Sequence, residues 1–186
     1  MAVTGILAAL GVGALLVAAL WAVLLYNRLV TLAAQVREAW GDIQVQLRRR
    51  YDLIPLLAET VRAHAAEERA TIEAAIRARD AAAADTGEPE HQAATERALE
   101  RRLTGLVAVA EALPELRADA SFHALTDALT DTETRLNRAR RFYNGAVKAL
   151  NVAVGQVPGS LVARACGIGP AQYFDLDEPP GEGRGA

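Results

Sequence analysis

His64 is followed at three and four residues by Glu67 and Glu68, one possible half-site for a di-iron centre in a helical bundle. The full site takes Glu-x-x-His twice plus two further glutamates, and this sequence has that motif only once, as Glu88-Pro89-Glu90-His91. His91 lies near a turn. His123 has no carboxylate at i±3, and its i±4 neighbours Asp119 and Asp127 read as a helix N-cap and a turn-end carboxylate. Cys166, the only cysteine, cannot form an internal disulfide and has no histidine near it in sequence, so it reads as buried packing. Glycine-rich phosphate loops are also missing, because Gly11 and Gly13 belong to an apolar run and the tail glycines have no strand–helix context. The expectation is therefore a protein that is not an enzyme, with no catalytic residue, no metal and no cofactor.

The polar residues beside the apolar stripes say more. Asp42, Asp52 and Glu133 are acidic, and Arg49, Arg50, Arg140 and Arg141 are basic. Asn144 and Asn151 repeat at seven residues, each one place after an apolar position, Tyr143 and Leu150. One reading has these groups bond across helices and fix their register. The other gathers them, around Tyr51, Asp52, Arg140, Tyr143 and Asn144, into a groove for a partner's helix or an anionic group. Arginine suits either role, because its planar fork holds carboxylate or phosphate bidentately. The candidate residues are thus Asp42, Arg50, Tyr51, Asp52, Glu133, Arg140, Tyr143, Asn144 and Asn151. A lipid-headgroup patch at Arg48–Arg50 is a third option, about 35 Å along the helix from the apolar run.

The elements that must position these residues are helices. Ala2 to Leu25 contains no charge, and its 24 or so residues span about 36 Å as a helix, enough to cross a hydrocarbon core of about 30 Å. Trp21 and Tyr26 fall at its downstream end, where amphipathic rings favour the membrane boundary. No Lys or Arg precedes the run, as a cleaved leader would require, so a retained anchor is expected. Arg28, Arg37 and Arg48–Arg50 follow it, which predicts the N-terminus outside and the remainder in the cytoplasm.

Leu29, Leu32, Val36, Trp40, Ile43, Leu47, Tyr51 and Ile54 then recur at three and four residues, so the anchor continues as a helix. At Pro55 this helix either kinks or stops and restarts with Asp52 as N-cap. The pattern runs on through Leu57, Val61, Ile72 and Ile76 to Ala81–Ala84, and Asp85–Pro89 is the first clear turn. Leu99, Leu103, Leu106, Ala110 and Leu113 mark a second helix, closed near Pro114. Asp119 caps a third, in which Phe122, Leu129, Leu136, Tyr143, Leu150 and Val157 recur every seven residues up to Pro158-Gly159. The fold class is all-α: a transmembrane helix (1–26), then an antiparallel bundle of about four long helices (27–158). A C-terminal segment (159–175) packs back on the bundle or on a partner, and an acidic Gly/Pro-rich tail (176–186) is expected to be disordered.

Two blocks resemble the signatures of the LemA family. The first comprises Tyr26–Val30, Glu38–Leu47 (EAWGDIQVQL) and Arg49–Pro55 (RRYDLIP). The second is Ala139–Val147 (ARRFYNGAV), followed by Asn151, Pro158-Gly159, Leu161–Ala163 and the aromatic pair Tyr173-Phe174. The resemblance implies a bacterial membrane-anchored helical bundle without an agreed catalytic activity. Related domains are associated with membrane remodelling, notably a magnetosome protein, and with membrane stress.

Twenty Lys+Arg against 23 Asp+Glu leave a net charge of −3, which excludes a general nucleic-acid binder. The expected function is a non-enzymatic membrane scaffold or adaptor, with lipid bound through the anchor and a membrane or cytoplasmic protein as partner. The alternative is a membrane-shaping or envelope-stress protein that acts by self-association into a homo-oligomer, or by lipid contact through Tyr173 and Phe174.

Overall fold

The computed structural model describes residues 2–176, and all its regular elements are helices. They are α1 (Ala2–His64), α2 (Arg69–Ala84), α3 (Pro89–Ala112), α4 (Pro114–Arg117), α5 (Ala120–Gly155) and α6 (Gly159–Cys166). The chain divides into two compact units. One holds Ala39–Asn144 with the segment from Gln172, and the other holds the chain up to Glu38 with Gly145–Ala171.

The larger unit is a four-helix bundle. Tyr51 of α1 meets Ala82 of α2 across the intervening turn, so these two helices are antiparallel. Gln44 and Arg50 of α1 meet Gln92 and Glu96 of α3 in rising order, a parallel pair. Trp40 and Arg50 meet Tyr143 and Glu133 of α5 in falling order, again antiparallel. Ile43, Leu47, Ile54, Leu57, Ile72, Leu99, Leu106 and Leu136 are fully buried between the helices. Each such side chain contributes about 1.5–3 kcal/mol on leaving water.

Of the two courses open to α1 at Pro55 one is taken, and further along one expectation fails. The helix runs unbroken through Pro55, so Asp52 caps nothing and is exposed. Pro55 has no N–H for the carbonyl of Tyr51 four residues back, and Arg79 Nε of α2 donates to that oxygen instead at 3.0 Å. The helix then ends at His64, where a continuous helix to Ala84 was expected. Ala65 leaves helical geometry (φ −135°, ψ 62°) and a 3₁₀ turn at Ala66–Glu68 leads into α2. No Gly or Pro marks this turn, but no large apolar residue lies between Val61 and Ile72 either, and of that stretch only Ala65 is buried.

The Asp85–Pro89 turn is present, with Asp85 Oδ1 accepting the Gly87 N–H at 3.0 Å. Pro114 opens the short α4, and Asp119 caps α5 by accepting from Ser121 and Phe122 N–H. The heptad positions Phe122 to Leu150 are buried, whereas Val157 is 76% exposed. It fails the pattern because α5 stops at Gly155, two residues earlier.

In the smaller unit, Leu29 and Val36 of α1, Val147 and Leu150 of α5, and Ala163 of α6 form the core. Helix α6 turns 97° from α5. Gly159 makes that corner possible, because a Cβ there would collide with the Ala153 carbonyl oxygen. Gly167, at φ 69°, ends α6 in the left-handed conformation, and Ile168 N–H closes back on Ala163 O at 2.9 Å. From Leu10 to Leu24, α1 is exposed along every face; by length and composition it is a candidate membrane span. The expected disordered tail lies outside the described residues from Asp177 onward. Leu176, its first residue, is buried and belongs to the larger unit.

Candidate functional site

The nine sequence candidates do not form one groove; the structure sorts them by environment. Arg50 and Tyr51 of α1 point into the bundle, where they meet Glu96 of α3, which is fully buried. Arg50 Nη1 lies 3.4 Å from Glu96 Oε2 and 3.5 Å from Glu133 Oε2 of α5. The Tyr51 hydroxyl donates to Glu96 Oε1, and it also lies 3.2 Å from the Ala82 carbonyl. Burial pushes the Glu96 carboxyl above the ordinary carboxylate range, against the hydrogen bond from Tyr51 and the charge of Arg50. Burial and the Glu96 charge hold the Tyr51 phenol well above its usual value. Gln44 and Gln92 extend this polar seam through an amide–amide bond of 2.7 Å.

Tyr143 and Asn144 do something different. Asn144 receives the Phe174 N–H on Oδ1 and donates Nδ2 to the Phe174 carbonyl, both at 3.0 Å. The Tyr143 hydroxyl, pushed up to about 12 by burial, donates to the Gln172 carbonyl at 2.7 Å. Phe174 is fully buried, with its ring edge-on to Trp40 at 5.4 Å, and Trp40 also packs on Tyr143 at 5.3 Å. These residues clamp the C-terminal segment, and Arg97 adds a bond of 2.7 Å to the Asp175 carbonyl. In the other unit Asn151 grips Ala171 in the same two-point manner, at 2.8 and 2.9 Å. The two asparagines therefore bond an extended backbone and not a neighbouring helix.

Three candidates remain. Asp42 and Asp52 are exposed on α1, and Arg140 is half-buried on α5. Arg50, 3% exposed and ion-paired, is withdrawn from any headgroup patch at Arg48–Arg50, whereas Arg49 is exposed and meets Asp131 at 3.6 Å. Cys166 is exposed, not packed.

Sequence reading did not single out Glu96, Gln92 or the groove beside them. That groove runs between α3 and α5, has a volume of about 440 Å³, and has Arg50 at its base. Leu103, Val107 and Ala108 of α3 and Leu129 of α5 give it an apolar floor, and Glu100, Glu111 and Glu133 supply carboxylates along it. Its threonine hydroxyls are already engaged. Thr104, Thr130 and Thr134 each donate to the carbonyl four residues back in their own helix. An apolar floor with a surplus of carboxylates is suited to an apolar, cationic occupant.

The model of the LemA family matches residues 39–182. No curated protein matches the chain.

Proposed function

We propose that this chain, which belongs to the LemA family, is a membrane-tethered, non-enzymatic adaptor. In this reading the uncharged run of α1 anchors it, the bundle lies on the cytoplasmic side, and the α3–α5 groove receives a basic amphipathic helix of a partner protein. The observation that carries the reading is the groove itself: an apolar floor flanked by Glu100, Glu111 and Glu133, with the one arginine at its base already paired. A basic helix would bury its apolar face on Val107 and Leu129 and set its cations against those carboxylates. Orientation rests on the arginines that follow the anchor.

Photo-crosslinking in intact membranes tests the adaptor role. A crosslinker at position 108, in the groove, is expected to give a discrete adduct that Glu100→Lys/Glu111→Lys abolishes. A crosslinker at position 52, outside the groove, should give none. Equal adducts from both positions, or an adduct at 108 indifferent to the charge reversal, would refute the reading. The single exposed thiol tests orientation. Cys166 should resist an impermeant maleimide in intact cells and react once the membrane is opened.

A further inference from the structure

The corner between α5 and α6 exposes apolar surface that the bundle does not use. Val152, Val157 and Leu161 are 47%, 76% and 64% exposed. Residues 149–166, which make up this corner, carry a single charge, Arg164. Its location is fixed within its own unit. Leu25 and Arg28 of α1 line one shallow cleft of about 130 Å³ together with Val152, Gln156, Val157 and Pro158. Leu25 is the last residue of the uncharged run, and Arg28 is the first cation after it. Whatever shares a cleft with these two residues stands where hydrocarbon gives way to headgroups.

We infer that the α5–α6 corner is a second lipid contact, in which Val157 and Leu161 dip into the bilayer interface beside the anchor. The inference rests on reading the α1 run as a membrane span. Helix α6 has the two faces the role needs. Gly159 and Ala163 are buried in the unit, while Leu161 and Arg164 face outward. An interfacial helix buries its apolar side chains about 5–10 Å into the headgroup boundary and lets its basic ones reach the phosphates. Arg28, Lys148 and Arg164, all exposed, supply that positive charge, so the favoured surface is an anionic bilayer. Of Tyr173 and Phe174, the pair the sequence suggests for lipid contact, the second is withdrawn. Phe174 is fully buried against Trp40 and has no surface to offer lipid.

The test uses the full chain in vesicles of phosphatidylcholine and phosphatidylglycerol. With Cys166→Ser as background, an environment-sensitive fluorophore is placed on single cysteines at positions 16, 45, 157 and 161. Positions 157 and 161 should show blue-shifted emission and loss of intensity with lipids spin-labelled near the headgroup. Position 16 should respond to lipids labelled deep in the chain, and position 45, in the bundle, to neither. Circular dichroism of each labelled protein confirms an intact helical fold. If position 16 responds while 157 and 161 behave like 45, the corner is in water and the inference falls with the anchor intact. If position 16 is silent as well, the anchor reading fails and the inference falls with it. A silent corner, together with a Cys166–Cys166 disulfide between two copies of the unsubstituted, unlabelled chain in the same vesicles, would assign this face to self-association and overturn the lipid contact.

Discussion

Replacing Arg50 with methionine should strand a buried carboxylate. Arg50 and Glu96 are 3% and 0% exposed and 3.4 Å apart. At that distance and an effective dielectric of about 20, their attraction is about 5 kcal/mol. Desolvating both ions takes most of this back, so the intact pair contributes little net stability. Removing one partner, however, costs about 3–5 kcal/mol. In Arg50→Met the Tyr51 hydroxyl still donates to Glu96, but no cation remains to hold the charge. Burial already raises the Glu96 carboxyl, and loss of Arg50 raises it further. A folded-state pKa above the unfolded one means that the folded state binds more protons, so stability rises as pH falls from neutrality toward the ordinary carboxylate range. The deficit of Arg50→Met should therefore be largest near pH 7.5 and shrink by about pH 5. Arg50→Met/Glu96→Leu, which removes both charges, should regain most of the loss. The assay is thermal unfolding of the full chain in detergent, followed by Trp40 fluorescence with Trp21→Phe as background. Single variants that cost less than about 1 kcal/mol, or a double variant equal to the sum of the singles, would refute the argument. So would a deficit that deepens on acidification.

Three further outcomes follow from particular contacts. Asn144→Leu removes both bonds to Phe174, at a cost of about 1–3 kcal/mol, and should speed amide exchange at 172–176 while leaving the bundle core protected. Gly159→Ala drives a methyl into the Ala153 carbonyl and should cost about 1–3 kcal/mol, read as a lower unfolding midpoint. Arg79→Met leaves the Tyr51 carbonyl unpaired and should destabilise by a similar ~1–3 kcal/mol. Pro55→Ala in the same chain should recover it by restoring the N–H that the carbonyl lacks, and equal stability of the single and double variants would refute that account.

Much of this architecture was legible because large apolar residues are sparse and regular. In α5 the seven-residue spacing from Phe122 to Leu150 names the buried face outright, and Asp119 announces where the helix begins. The break at Ala65 was hard to read, since alanine and charged residues are compatible with helix and only the missing apolar side chains hinted at a turn. Glu96 looks like any surface glutamate, yet it stands three residues from both Ala93 and Leu99 on the inner face of α3. That spacing was the available signal. Asn144 and Asn151 were conspicuous by their repeat, but their partner, the chain around 171–174, has no periodicity to show where it docks. Asp42 and Asp52 show the converse, since adjacency to a stripe position in sequence placed them one step outside the core.

The polar seam also bears on where the groove lies. The buried residues of α1, α2 and α3 include Ala58, Ala75, Ala82 and Ala93, and small side chains of this kind pack acceptably in more than one axial alignment. Directional bonds do not. Arg79 ties α2 to the Tyr51 carbonyl, Tyr51 and Arg50 tie α1 to Glu96 of α3, and Glu133 brings in α5. All four helices thus meet at one level of the bundle, and the groove carboxylate Glu133 is itself one of the ties. A stable Arg50→Met/Glu96→Leu protein would then separate two roles. If the network sets alignment, the variant keeps its unfolding midpoint but loses the position-108 adduct. If that adduct persists unchanged, apolar packing alone aligns the helices and the network is dispensable for recognition.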